Sequence, residues 1–325
     1  MTRSLLEDDS LALRVEPDAW SSVEPWVPRI PARAATPERA RAWIEVEPGA
    51  PAFGVPTRPP AVDLCSVAGW PERTGEMLLC APRGWVSAIV DPGAHHARVR
   101  LLPPGAPAEG EAEAFRVEAF ATLTLAAAFL LGRLRRTLVH AGAVVAPDGR
   151  AWLLAGGTFS GKSTTCVSLI RGGWDWLADD NVVLNEGPRG LRVEGWPRRF
   201  NLDHGYAAGA SQGVRSRVDP EAFGPGRWRR AAPLGGLLFP RVEAERPTAL
   251  EPLSGVDALS GLLQQSPWLL GDPGTAQDVL ALVRRAAAAP AFELRLGADS
   301  YRDPEQLQRL LVPAFERYVA TSSTA

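Results

Sequence analysis

Between residues 155 and 165 the chain reads Ala-Gly-Gly-Thr-Phe-Ser-Gly-Lys-Ser-Thr-Thr, and no other stretch restricts its fold as much. It fits the pattern G-x-x-x-x-G-K-[ST] from Gly156 through Gly161, Lys162 and Ser163. Glycines let the backbone curl until successive N–H groups point inward at phosphate oxygens, and a following helix adds its positive N-terminal end. The pattern therefore demands a strand before it and a helix after it. Gly156, Gly157, Thr158, Phe159, Ser160, Gly161, Lys162, Ser163 and Thr164 are the candidate phosphate-binding residues. Lys162 is placed to reach β- and γ-phosphates, and the Ser163 hydroxyl to hold Mg²⁺.

Lys162 is the only lysine in the chain, so the other 35 − 1 = 34 basic residues are arginines. A slim point charge suits a phosphate loop, and the broad planar fork of arginine is a poor substitute. The formal charge of −2 argues against general nucleic-acid binding, which needs a basic excess. With 325 residues and 46% hydrophobic content, a substantial core spread over two domains is expected. Cys65, Cys80 and Cys166 lack metal-ligand spacing, and their odd number argues against a disulfide framework. That usage points to a reducing, cytoplasmic setting. The first ten residues carry no apolar signal region, and the most apolar run, Ala119 to Gly132, has only 14 residues. It reads as a buried helix and not as a membrane span.

Residues 1–60 read as irregular structure with short strands. Trp85–Val90 and Ala97–Leu102 read as a hairpin, with His95 and His96 solvated in its turn, and 101–110 as a linker. Phe115–Arg136 has the density of a helix packed on most sides. Thr137–Val145 and Ala151–Ala155 read as strands, the second feeding the glycine loop, and residues 161–171 as a helix closed by Gly172-Gly173. After Trp174–Ala178 come Asp179, Asp180 and Asn181. Paired carboxylates at a strand end, following such a helix, suit base and metal duty. Arginines cluster at 198–199, 215–217 and 227–230; Leu234–Pro240 reads as a strand. Further on, a helix near Ala276–Ala288, a strand at Ala291–Leu296 and a helix at Pro304–Tyr318 are expected.

Three pieces together, Val139–Val145, Gly156–Ser163 and Leu177–Val182, resemble the HPr serine kinase/phosphorylase family and its diverged kinase-like relatives in modified-peptide clusters. The separation of Lys162 from Asp179, 179 − 162 = 17 residues, suits that family. Phe292–Asp299 before a last helix also looks like the diverged relatives. The resemblance implies an α/β fold: a P-loop core shared with phosphoenolpyruvate carboxykinases over residues 115–325, behind a β-rich domain at 1–114. It implies an ATP- and Mg²⁺-dependent kinase acting on a serine or threonine hydroxyl of a peptide or protein. Asp179 would be the general base, Asp180 would organise metal, and His140 would lie near the transferred phosphate. Arg230, or Arg229 beside it, is the candidate for stabilising the transferring group. The family's Pro-Gly-Arg-Asn segment has no counterpart after Phe239-Pro240-Arg241, which points away from HPr itself as the partner. A homo-oligomer stays open. Two other readings compete: a nucleotide-binding regulator or scaffold, and a small-molecule enzyme of the carboxykinase type. No nucleic acid and no membrane is expected as a partner. The tryptophans Trp20, Trp26, Trp43, Trp70 and Trp85 serve as either the small domain's core or a peptide-docking surface.

Overall fold

The computed structural model describes residues 1–24, 26, 37–64, 66–103, 108, 110–188, 190–196, 200–203, 215–303 and 305–313. Cys65, the arginines at 198–199, and residues 304 and 314–318 of the expected last helix lie outside the described residues. The chain forms two compact units: Met1–Thr137 with Pro267–Leu280, and Leu138–Ser266 with Ala281–Ala325. Both are built on sheets, and the whole is a mixed α/β protein.

The first unit holds eight strands: β1 (Thr2–Ser4), β2 (Leu11–Val15), β3 (Ala42–Pro48), β4 (Val62–Leu64), β5 (Val67–Pro71), β6 (Met77–Cys80), β7 (Val86–Asp91) and β8 (His96–Leu101). Their order is β1-β2-β3-β8-β7-β6-β5-β4. A short helix α1 (Trp20–Val23) follows β2, and a long helix α2 (Ala112–Arg133) follows β8. Alternation sets the inner face: Ala42, Ile44 and Val46 of β3, Val86, Ala88 and Val90 of β7, and Ala97, Val99 and Leu101 of β8 are all buried. Helix α2 packs on this sheet, and nearly all of it from Ala119 to Gly132 is buried. It has 22 residues and is apolar enough by composition to cross a membrane, but its apolar surface is taken up inside the unit. Sequence alone placed this helix with the second domain; it clusters with the first.

The other sheet face is charged. Glu45 pairs with Arg14 at 2.5 Å and lies 3.1 Å from the His96 ring, and Glu47 pairs with Arg100 at 2.7 Å. His96 therefore opens β8 and is not a solvated turn residue, whereas His95, at φ 55°, does make the turn. The tryptophans divide between two roles. Trp26 and Trp70 are buried, and the Trp26 indole N–H donates to Thr124 Oγ1 on α2 at 3.0 Å. Trp20, Trp43 and Trp85 are half-buried, each beneath an arginine: Arg3, Arg14 and Arg83, at 5.8, 4.9 and 4.7 Å from the ring centre.

The second unit contains β9 (Thr137–Val139), β10 (Ala141–Val145), β11 (Ala151–Ala155), β12 (Asp175–Ala178), β13 (Val182–Gly187), β14 (Gly190–Gly195), β15 (Phe200–Asp203), β16 (Arg215–Val218), β17 (Ala231–Val242), β18 (Ala249–Pro252) and β19 (Ala291–Leu296). Helices α3 (Lys162–Arg171), α4 (Gly255–Gln264), α5 (Ala276–Ala287) and α6 (Ala298–Arg302) are interspersed, with α5 beginning in the first unit. The expected strand at 137–145 is two strands, broken at His140.

The sheet runs β12-β10-β11-β17, and from the 12-residue β17 it branches. The start of β17 pairs with β14, and its end pairs with β19. Strands β11, β17 and β19 are mutually parallel, and β12 shares their direction because both it and β11 run antiparallel to β10. Four parallel strands thus end at one edge. Every residue of β10 and β11 is buried, which is why both read as unbroken apolar runs. Helix α3 covers β10, β11 and β12. The Gly235-Gly236 pair has a packing cause: a Cβ on Gly236 would stand 2.3 Å from the Trp152 ring.

Candidate functional site

The site grows from the register of three strands. Ala141 pairs with Ala155, so one step outward His140 stands opposite Gly156, the first residue of the glycine loop. On the other side Ala143 pairs with Ala178, so Gly142 stands opposite Asp179. Contact distance agrees: a Cβ on Gly142 would lie 2.9 Å from the Asp179 carbonyl oxygen. The start of β10 therefore separates the loop from the acid pair. Two strand spacings put their backbones about 10 Å apart.

Residues 156–161 form the loop between β11 and α3. Gly161 is left-handed at φ 98°, and a Cβ there would stand 2.3 Å from Leu296 Cδ1 and 3.5 Å from Val242 Cγ2. Glycine is required twice over at this position, by backbone and by space. A Cβ on Gly156 would meet the Ser160 hydroxyl at 2.8 Å, whereas one on Gly157 would meet nothing within 4 Å. Phe159 also has a left-handed backbone, φ 66°, and is 73% exposed. Ser160 Oγ is buried without a hydrogen bond, the kind of orphan that a bound ligand accounts for. Lys162 is only 6% exposed, and its ammonium donates to the carbonyls of Gly156 at 2.5 Å and Gly157 at 2.8 Å. Ser163 and Thr164 are half-buried on the first turn of α3.

Asp179 and Asp180 form the bend between β12 and β13, Asp179 buried and Asp180 half-buried. Asn181 beside them is buried, and its carbonyl accepts the Trp196 N–H at 3.2 Å. The fully buried Cys166 of α3 senses the whole group. Burial pushes its thiol well above the ordinary value; Asp179 and Asp180 add to the rise and Lys162 opposes it. One turn of α3 and the acid bend therefore share a single electrostatic neighbourhood. His140 is half-buried, and its backbone N–H donates to the Gln265 carbonyl at 2.8 Å.

The two candidate arginines face other carboxylates. Arg229 Nε lies 2.6 Å from Asp175 Oδ2, at the end of β12 remote from Asp179. Arg230 Nε is 3.8 Å from the buried carboxylate of Glu194, and its carbonyl accepts the Gly195 N–H. Besides Val242 at Gly161, β17 adjoins the loop through Pro240, whose carbonyl oxygen is 3.5 Å from a Cβ built on Gly156. Among the described residues no group of three or more His, Cys, Asp or Glu side chains is set to hold a metal ion.

Sequence reasoning passed over Gly142, Cys166, Val242 and Leu296. A signal existed for the first, since a glycine inside a strand marks close backbone approach. The other three became visible only through long-range pairing. No protein-family profile matches the chain, and no curated protein matches its sequence. Among solved structures, the chain has a weak likeness to the Hpr(Ser) kinase/phosphatase from Coxiella burnetii: 13% identity, a TM-score of 0.32, and coverage of 58% of this chain and 99% of that one.

Proposed function

We propose that this protein is an ATP-dependent phosphotransferase that binds ATP with Mg²⁺ at Gly156–Thr164 and passes the γ-phosphoryl group to a serine or threonine hydroxyl of a peptide or protein. The observation that carries this reading is the juxtaposition made by β10. It holds a lysine-bearing glycine loop on one side and a buried aspartate on the other, at the edge where the parallel strands end. Ligands of open α/β sheets bind at that edge.

The chain's own groups divide the work. Lys162 now satisfies its ammonium with the loop carbonyls; phosphate oxygens are stronger acceptors and would draw it outward. The N–H groups of the curled loop and of the first turn of α3 would hold the phosphate chain in line. The Asp179 carboxylate would take the proton from the acceptor hydroxyl as the hydroxyl oxygen bonds to the γ-phosphorus. The bond from that phosphorus to the bridging oxygen breaks, and its electron pair leaves with ADP. Ser163 and Asp180, both oxygen donors, would hold Mg²⁺, which would neutralise charge on the phosphates.

Calorimetry of ATP–Mg²⁺ binding tests the reading. Wild type is expected to bind and Lys162→Ala to lose most of its affinity. Equal binding by the two would overturn the reading.

A further inference from the structure

We infer that Phe159 and Val242 form the seat for the nucleoside end of the bound triphosphate. This rests on the proposed function, and it adds which way the nucleotide lies and what its far end touches.

Phe159 is anomalous on two independent counts. Its backbone sits at φ 66°, where L side chains are rare, and the residue is 73% exposed. The other described non-glycine residues with positive φ are Asp9, Ser66, His95 and Arg135, all polar. Aspartate and histidine tolerate that region comparatively well, and bulky residues do not. A large apolar residue in that conformation is exposed here and not buried. Strain of this kind concentrates where a ligand is gripped.

Val242 supplies the second observation. It ends β17, is 38% exposed, and lies beside Gly161 and the buried Leu296 at the end of β19. The sheet order settles direction. Reading β12-β10-β11-β17-β19, the acid pair stands on the β12 flank of the loop and Val242 on the β17–β19 flank. A triphosphate lying across the loop with its reactive end at Asp179 must send its nucleoside toward Val242. Val242 is therefore on the side where a base arrives, and away from the acceptor. A flat ring reads the π-face that every base offers, not its hydrogen-bond pattern.

Calorimetry on the full chain with Mg²⁺ separates the possibilities, using ATP and inorganic tripolyphosphate as probes. In Phe159→Gly the ATP affinity is expected to fall about tenfold or more, far beyond any fall in tripolyphosphate affinity. Phe159→Asn, which tolerates the left-handed backbone without adding glycine's flexibility, should behave the same way, and Val242→Ser should lose ATP affinity in the same selective manner. Glycine suits the local backbone, so the variant is expected to melt no lower than wild type. The inference is overturned if ATP affinity is unchanged in both Phe159 variants. It is equally overturned if ATP and tripolyphosphate weaken together, which would make Phe159 a loop-shaping residue, or if only the KM for a peptide acceptor rises. Wild type that binds neither probe would instead bring down the phosphotransferase reading itself.

Discussion

Gly142 and Asp179 touch through their backbones: a Cβ added to Gly142 would stand 2.9 Å from the Asp179 carbonyl oxygen and 2.9 Å from Cys166 Sγ. Neither neighbour is the free end of a flexible chain, so a methyl group there must push the acid bend or helix α3. Gly142→Ala is therefore expected to lower the melting temperature and to cut phosphoryl transfer by about 10²-fold, since a displacement on the order of 1 Å suffices for that. ATP affinity should change far less, because the loop lies on the other side of β10. Melting curves, calorimetry and a transfer assay on one preparation check all three.

Asp179→Asn keeps size and shape while removing basicity. Nucleotide binding and folding should survive, with phosphoryl transfer reduced by about 10²–10⁴-fold. A transfer rate within a few-fold of wild type would take the role of base away from Asp179.

Glu118 of α2 gives a pH dependence that is independent of the site. Its side chain is buried; Oε1 accepts the Arg83 N–H at 3.2 Å, and Oε2 has no hydrogen bond. Burial raises its pKa above the usual carboxylate value, against the opposing pull of Arg83. The folded state thus holds this proton more tightly than the unfolded one. The stability it contributes is fully present below the unfolded value of about 4.3 and is lost as pH rises through the folded pKa. Glu118→Gln should melt above wild type at pH 7, and the gap should close as the pH is lowered toward 4.

Thr124→Val tests the anchoring of Trp26. The indole N–H loses its acceptor in a buried setting, which costs about 1–3 kcal/mol. Denaturant unfolding should show the loss without any change in nucleotide affinity.

Much of the second unit was legible because its signals are local. The strand Ala151–Ala155, the glycine loop, the helix to Arg171 and the closing Gly172-Gly173 follow one another directly, and each carries its own stop or start. The first unit was harder to read. Strands β2 and β3 pair in parallel across residues 16–41, and β3 pairs in parallel with β8 across 49–95. Pairing over such separations leaves no turn signature, so the N-terminal residues looked irregular. Helix α2 was recognisable as buried, but nothing in its composition says which sheet buries it. The consequence is practical. Deleting residues 1–114 would strip α2 of its sheet and leave Pro267–Leu280 without its unit, so point substitutions at Trp20, Trp43 and Trp85 are the sounder probes of peptide docking.

Lys162, the chain's only lysine, is 6% exposed within its loop. An endoprotease specific for lysyl bonds has therefore one target in the entire protein, the bond to Ser163. A cut there leaves pieces of 162 and 325 − 162 = 163 residues. It cannot proceed until the loop and the first turn of α3 open, so at low protease the digestion rate follows the population of that open form. Any ligand that the loop holds slows digestion by a factor approaching 1 + [L]/Kd. The protein thus carries an unlabelled occupancy gauge at the spot where occupancy matters, readable on a gel as the disappearance of one band.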